Sequence, residues 1–508
     1  MGVIARQSIK GALANYLGIA IGFVTTFFVL TDCLTQDEIG LTRIMVDAAM
    51  LFSGLAQLGT NASILRFYPF FKDAEKRDHG FFGWTILLPF IGFAIFTLCF
   101  FLFKGSIMGL YAQRAPMIVD YFYLLLPLTF FALYLTVFET NANVLMRITI
   151  PKMVREVGVR VFNLVCYLLY GKGLISLDLF VILFCSSYGV AMLLNLFYLL
   201  SLGKISFKID FAFVDRKTLK EICIYTLFMT ATVLAGNIPL INSLFLGAKE
   251  GLALTGVYTI ASYIANIVEV PYRSLGAISR PLISQAVKDD DWGEVNRLGQ
   301  QVALHQLLVS TLIFFFIWIN ISALFALIPH GDEYMGGFGV VFILGMAKVV
   351  NSSCSIGTDI LNFSKFYPFS LIFIAVLTTS AIVLNNYLIP LWGLNGSAGA
   401  TLFAYILYFA VLLLFLGRRQ RVTIFSQKQL VIVALIGVLF ALNWLWGRTI
   451  TPMISSLHLS LTISTLTDAV MRSAVFGIVA ISAVYRLKIS EPINRVMEKY
   501  MSKFFVKK

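Results

Sequence analysis

Charge is the scarcest property of this chain: Asp, Glu, Lys and Arg make up 13% of its 508 residues, against 59% hydrophobic ones. Soluble domains carry roughly 25% charged residues, so a soluble globular protein is excluded and a membrane protein indicated. At about 20 apolar residues per span, the length admits a dozen or more transmembrane helices and leaves no room for a large soluble domain. The six cysteines (Cys33, Cys99, Cys166, Cys185, Cys223, Cys354) are scattered through apolar runs without ligand spacing, which speaks against disulfides and metal sites. His305 and His330 have no ligand partner at useful spacing. No Gly-x-x-x-x-Gly-Lys-Ser/Thr loop occurs, so the chain is not expected to use ATP itself. Asp289-Asp290-Asp291 reads as a solvated surface run, and no cofactor is expected.

The apolar runs predict an all-α polytopic protein of 14 transmembrane helices. The first six are Gly11 to Leu30, Leu41 to Leu65, Phe81 to Phe103, Tyr121 to Leu145, Val157 to Tyr170 and Leu179 to Leu202. The next six are Ile222 to Leu246, Leu252 to Val270, Val302 to Ile328, Phe338 to Leu361, Phe366 to Leu388 and Ala398 to Leu416. Leu430 to Trp446 and Ala469 to Tyr485 complete the count before a basic tail. The first run is too long for a signal-peptide core and reads as an uncleaved span.

With the ends and alternate loops on one side, that side collects about 31 of the 39 Lys and Arg, and the opposite loops about six. Both termini are therefore expected in the cytoplasm. The formal net charge of +13 then reports orientation and contact with anionic lipid, not nucleic-acid binding. Short interfacial helices are expected in the charged links Phe70 to Gly80, Gly203 to Glu221 and Ser284 to Gly299.

The two sets of six spans show weak self-similarity. Lys10, a span, Asp37-Glu38-Ile39-Gly40, a span and Arg66-Phe67-Tyr68-Pro69 are echoed by Lys220, a span, Lys249-Glu250-Gly251, Gly256-Val257-Tyr258, a span and Arg280-Pro281. Units of six spans would be related by an axis along the membrane normal. The expected organisation is an N-terminal lobe at residues 1–205, a C-terminal lobe at 206–425, and two accessory spans with the tail at 426–508.

In order along the chain stand Asn15, Asp37-Glu38-Ile39-Gly40-Leu41, Leu58-Gly59, Ser63, Arg66-Phe67-Tyr68 and Gly256-Val257-Tyr258. Then come Arg280-Pro281-Leu282-Ile283-Ser284, Gly331-Asp332-Glu333-Tyr334 and the most specific stretch, Ile389-Pro390-Leu391-Trp392-Gly393-Leu394-Asn395-Gly396-Ser397-Ala398-Gly399-Ala400-Thr401. On these residues the chain resembles the O-antigen flippase branch of the multidrug/oligosaccharidyl-lipid/polysaccharide exporter superfamily. The resemblance implies two six-helix lobes around a central cavity and two accessory helices. It also implies transport of an undecaprenyl-diphosphate-linked oligosaccharide from the cytoplasmic to the periplasmic leaflet of a bacterial inner membrane, without fixing the sugar or the coupling ion; a monomer working by alternating access and driven by proton or sodium entry is expected. The nearest rival is a cation-coupled multidrug exporter, with a cavity of acids and aromatics. A peptidoglycan-precursor flippase shares the cavity logic. A polysaccharide polymerase or ligase would need reactive Arg or His in a sizeable outer loop, and the longest one, Gly447 to Asp468, has little such chemistry.

A charged side chain at the bilayer centre costs about 2.5–3.5 kcal/mol on insertion scales, so each marks a partner or a watery cavity. Lys348, Asn351, Ser352, Ser355, Asp359 and Asn362 recur at three- and four-residue steps on one helical face. They are candidates for binding the diphosphate and sugar hydroxyls, or for interhelical hydrogen bonds. Asn266, Glu269 and Arg273 share a face around a break expected at Pro271; they could bind substrate or ion, or Glu269 and Arg273 could pair as a gate. Glu139 steps by four to Asn143 and Arg147, and Arg43 and Asp47 stand at i, i+4, either as a self-satisfied ion pair or as an anion-attracting cavity wall. Arg43 joins the cavity candidates, and Glu139, Glu269 and Asp47 are the ion-coupling candidates. Gly11, Asn15, Gly18, Gly22 and Thr25 form a packing seam, Asn237, Pro239 and Asn242 mark a helix break, and Asp468 with Arg472 is read as a structural pair.

Overall fold

The computed structural model describes residues 17–18, 20–73, 77–203, 205–210, 215–233, 238–455, 461–489 and 494, and among them it contains helices and no strand. The helices that position polar groups are α1 (Ala20–Cys33), α2 (Gln36–Ala56), α3 (Thr60–Phe71), α4 (Phe81–Tyr111), α5 (Leu125–Val144), α6 (Val159–Gly171), α7 (Leu177–Ser201), α8 (Arg216–Val233), α9 (Ile238–Glu250) and α10 (Leu252–Asn266). They continue as α11 (Val270–Lys288), α12 (Trp292–Ile319), α13 (Phe338–Phe363), α14 (Ser370–Gln420), α15 (Gln427–Ser455) and α16 (Leu461–Arg486). Ten helical stretches among the described residues are long and apolar enough to cross a membrane.

Local chemistry moves several boundaries away from the apolar runs. The second span starts five residues early, because Thr35 and Glu38 form a reciprocal cap: the Glu38 N–H donates to Thr35 Oγ1 (3.4 Å) and the Thr35 N–H to Glu38 Oε2 (2.8 Å). It also divides between α2 and α3, where Leu58 and Gly59 adopt φ of 50° and 69°. A Cβ on Gly59 would lie 2.4 Å from the Thr226 carbonyl oxygen, so that turn is bound to glycine by space as well as by φ. The links expected as interfacial helices differ too. Residues 77–80 form one tight turn and 205–210 form no helix, the two being tied by the Asp210 N–H donating to the His79 carbonyl (3.3 Å), whereas Ser284 to Gly299 continues α11 and α12.

The run α14 is 51 residues long and joins two expected spans. It reverses at Gly393, where φ is 52° and ψ −126°. A Cβ on Gly396 would stand 2.0 Å from the Leu388 carbonyl oxygen, although residues eight apart in a straight helix are about 12 Å apart. The stretch is therefore two arms joined by a turn.

The chain forms two compact units, residues 1–260 with 385–397, and residues 261–384 with 398–508. The first has an aromatic core in which Phe67, Phe71, Phe81, Phe82, Tyr134 and Phe138 are buried. Within it, α2 and α10 approach backbone to backbone at their N-terminal ends. A Cβ on Gly40 would lie 2.1 Å from the Leu252 carbonyl oxygen, and one on Gly256 would lie 2.2 Å from that of Gln36. In the second unit α15 and α16 pack on α12 through Phe315, whose ring centroid is 5.2 Å from Phe440 and 5.4 Å from Phe476.

Gly40→Val or Gly256→Val should each destabilise the fold by about 1–3 kcal/mol through overpacking. The drop in melting temperature of the detergent-solubilised protein checks this, with Gly105→Val, which meets no atom within 4 Å, as the neutral control.

Candidate functional site

Pro271 cannot donate the backbone hydrogen bond that would continue α10, so α10 ends at Asn266, one turn of tighter helix spans Ile267–Glu269, and α11 restarts at Val270. The expected break thus holds, and Glu269 sits in it. Its Oε2 lies 3.2 Å from Lys348 Nζ, and its Oε1 accepts a hydrogen bond from Asn351 Nδ2 at 2.8 Å. Lys348 and Asn351 stand at i, i+3 on α13, so a single helix face grips both oxygens of one carboxylate. The Lys348 side chain is only 8% exposed. Ser352, beside them, is buried with no hydrogen-bond partner for its Oγ.

A second pair repeats the arrangement with the signs exchanged. Arg280 Nε on α11 donates to both oxygens of Asp359 on α13, at 3.2 and 3.0 Å, and its Nη2 donates to the Tyr272 hydroxyl at 3.0 Å. Glu269 to Arg280 and Lys348 to Asp359 are the same number of residues apart, about three helical turns. The two pairs consequently fix α11 and α13 in one register, since a slip of a turn or two would leave all four charges without their partners. Thr358 and Tyr408 hydroxyls bond at 3.0 Å on the flank of Asp359. Of the remaining stripe, Ser355 is buried and Asn362 exposed. Asn266 is half-buried with a described backbone, whereas the Arg273 side chain falls outside the described residues.

In the first unit, Arg43 Nε lies 2.5 Å from Asp47 Oδ2, and the Ser243 hydroxyl on α9 donates to the same oxygen at 2.5 Å. Asp47 is 3% exposed. Alongside, Asn385 Nδ2 donates to Asn242 Oδ1 (2.8 Å) and Asn242 Nδ2 to the Tyr258 hydroxyl (3.1 Å), which also bonds Ser397. Glu139 takes its partner from Arg155, at 2.8 Å, while Arg147 is exposed. Gly18 and Gly22 back onto Glu156 and Arg160, and the Arg160 guanidinium donates to the Gly18 carbonyl. Gly11, Asn15 and Asn237 lie outside the described residues. Asp468 pairs with Arg472 and accepts from Trp446 Nε1 (2.9 Å), while Arg472 Nη1 reaches the Ile319 carbonyl (3.0 Å), tying α16 to α15 and α12.

The structure thus brings Lys348, Asn351 and Glu269 together, separates them from Asp359, and gives Asp47 to Arg43. Sequence reasoning missed Ser243, Tyr258, Asn385, Tyr272 and the pairing role of Arg280. The equal spacing of opposite charges on the eighth and tenth spans was the available signal for Arg280.

Because each partner is desolvated, Arg43→Ala should cost about 3–5 kcal/mol by leaving Asp47 buried with only a hydroxyl. The double variant Arg43→Met, Asp47→Leu should cost less than Arg43→Ala. Thermal unfolding of the purified variants in one detergent compares the two directly.

The model of the family described as "Polysaccharide biosynthesis protein" matches residues 4–287. An uncharacterised membrane protein of Methanocaldococcus jannaschii is 21% identical over 472 residues, covering 85% of this chain and 88% of its own. Among solved structures, the lipid II flippase MurJ in an inward closed conformation superposes with a TM-score of 0.68 at 12% identity, covering 96% of this chain and 100% of its own. An inward-facing multidrug-resistance MATE transporter of the MOP superfamily gives 0.59 at 16%, covering 83% and 98%. The Vibrio cholerae MATE transporter VcmN in the bent form gives 0.52 at 13%, covering 83% and 98%. At these identities the likeness is one of fold alone, and that fold is a multi-pass membrane one. The chain belongs to the polysaccharide biosynthesis protein family.

Proposed function

We propose that this protein is a flippase carrying an undecaprenyl-diphosphate-linked oligosaccharide from the cytoplasmic to the periplasmic leaflet of a bacterial inner membrane. The observation that carries the reading is the polar face of α13, a membrane helix on which Lys348, Asn351 and Asp359 answer charges from α11 and the turn before it and Ser352 adds a hydroxyl. Such a face offers an ammonium, amides and hydroxyls to a diphosphate and to hydrated sugars. The polar head thereby avoids hydrocarbon, where an unpaired polar group costs several kcal/mol. The polyprenyl tail stays in lipid.

The transport cycle is alternating access by two lobes, residues 1–205 and 206–425, within 14 crossings. Three features support the count beyond the ten long apolar stretches: the reversal within α14, the shorter apolar helix α1, and the successive helices α8–α9 and those of residues 149–171. The reciprocal approach of α2 and α10 supports a two-fold relation between lobes. Gln36 meets Gly256 as Leu252 meets Gly40, with Gln36 and Gly40, like Leu252 and Gly256, four positions apart in the chain, as in an isologous contact. In this reading the Arg43–Asp47–Ser243 cluster closes the periplasmic side, and both termini lie in the cytoplasm. Proton or sodium entry at Asp47, Glu139 or Glu269 drives opening. The unit acts as a monomer.

In proteoliposomes loaded with lipid-linked oligosaccharide, a leaflet-resolved assay should show translocation by the wild type and a loss of at least about ten-fold in Lys348→Ala, the equivalent of one lost charge-assisted hydrogen bond. Undiminished flipping by both Lys348→Ala and Arg43→Ala would sink the cationic-cavity reading. Transport of a peptidoglycan precursor in place of the oligosaccharide would reassign the substrate.

A further inference from the structure

The carboxylate of Glu269 occupies a position that has the chemistry of an oxyanion site. One of its oxygens faces Lys348 Nζ at 3.2 Å and the other faces Asn351 Nδ2 at 2.8 Å. An ammonium and an amide N–H directed at two oxygens of one anionic group is also how a phosphoryl group is held. Resting on the flippase reading for the identity of the substrate, we propose that Lys348 and Asn351 form the subsite for a diphosphate headgroup, and that Glu269 is its resident counter-anion, displaced when the substrate loads.

The two sides of the contact differ in how firmly they are built. Lys348 and Asn351 lie in the interior of α13, an uninterrupted helix of 26 residues. Glu269 lies in the three-residue turn between α10 and α11, next to the proline that removes a helical hydrogen bond. Displacement therefore moves the acid and leaves the donors in place. The Arg280–Asp359 pair differs: Arg280 also stands beside a proline, Pro281, but α11 continues through it to Lys288, and Arg280 Nε donates to both oxygens of Asp359.

Further polar capacity stands beside the donors. Ser352 Oγ is buried without a hydrogen-bond partner, and so are both amide atoms of Gln306 on α12. Gly345 faces Phe314 and Gly299 faces Ile360 across α12 and α13, an antiparallel register that sets Gln306 level with Ser352 and Ser353. A buried polar group without a partner costs stability, and these stand within one turn of the donors. The arrangement also explains how an unloaded carrier tolerates Lys348: with Glu269 in place the buried pair has no net charge, and a phosphoryl oxygen replaces one anion by another.

The test is calorimetric titration of purified full-length protein with inorganic pyrophosphate, and with undecaprenyl diphosphate in nanodiscs. Glu269→Gln removes the competing anion and should tighten pyrophosphate binding by about ten-fold or more, on the scale of one ion pair exchanged. Glu269→Asp, which keeps the charge but falls a methylene short, should tighten it less and covers the case in which the amide variant does not fold. Undecaprenyl diphosphate should follow the same order. Adding Lys348→Gln to either variant should abolish the gain. The proposal is overturned if neither Glu269 variant binds pyrophosphate more tightly than wild type, if the gain survives Lys348→Gln, or if glucuronate gains as much as pyrophosphate. Flipping by the wild type without any such gain removes the subsite and leaves the transport reading intact. The gain without flipping removes the transport reading and leaves the subsite.

Discussion

Low-dielectric surroundings oblige each buried charge to find its complement nearby, and this obligation organises the molecule. Lys348 is met by Glu269, Asp359 by Arg280, Asp47 by Arg43 and Ser243, Glu139 by Arg155, and Arg472 by Asp468. Each contact except Arg43–Asp47 and Asp468–Arg472 joins separate helices through the charges themselves, and those two recruit a neighbour through a hydroxyl, an indole or a backbone carbonyl. Apolar side chains alone would leave helices free to slide, because lipid tails and leucines are equally apolar. Register among these helices is thus set by a few polar contacts, and the aromatic cores fill the space those contacts define.

Much of this was readable in the sequence. The charged fraction and the lengths of the apolar runs gave a polytopic helical protein, and Pro271 gave the interruption that houses Glu269. The i, i+4 spacing of Arg43 with Asp47 and of Asp468 with Arg472 gave those pairs. What escaped were contacts between residues remote in sequence. Glu269 was weighed against Arg273, four residues on, while its partners stand on α13, and Asp359, which shares a face with Lys348, finds its partner on another helix in Arg280. A helical wheel orders the residues of one span and is blind to which span lies opposite. The division of the second span at Leu58 and Gly59 was hidden for a related reason: hydropathy does not register a left-handed turn whose glycine is demanded by the Thr226 carbonyl.

The glycines carry information of the same remote kind. Gly40 and Gly256 were noticed as members of two similar stretches, and the structure shows each against the backbone at the start of the other stretch. Small residues there let two helix ends meet without an intervening side chain.

The reversal at Gly393 bears on how the protein enters its membrane. No charged residue occurs between Lys365 and Arg418, so the turn itself offers nothing for the positive-inside bias to hold. Both arms must then be oriented by the basic residues at their outer ends, Lys365 on one and Arg418, Arg419 and Arg421 on the other. The positive-inside bias then acts on the two arms from one side only, so they are held as a single helical hairpin by its basic ends and not by its turn.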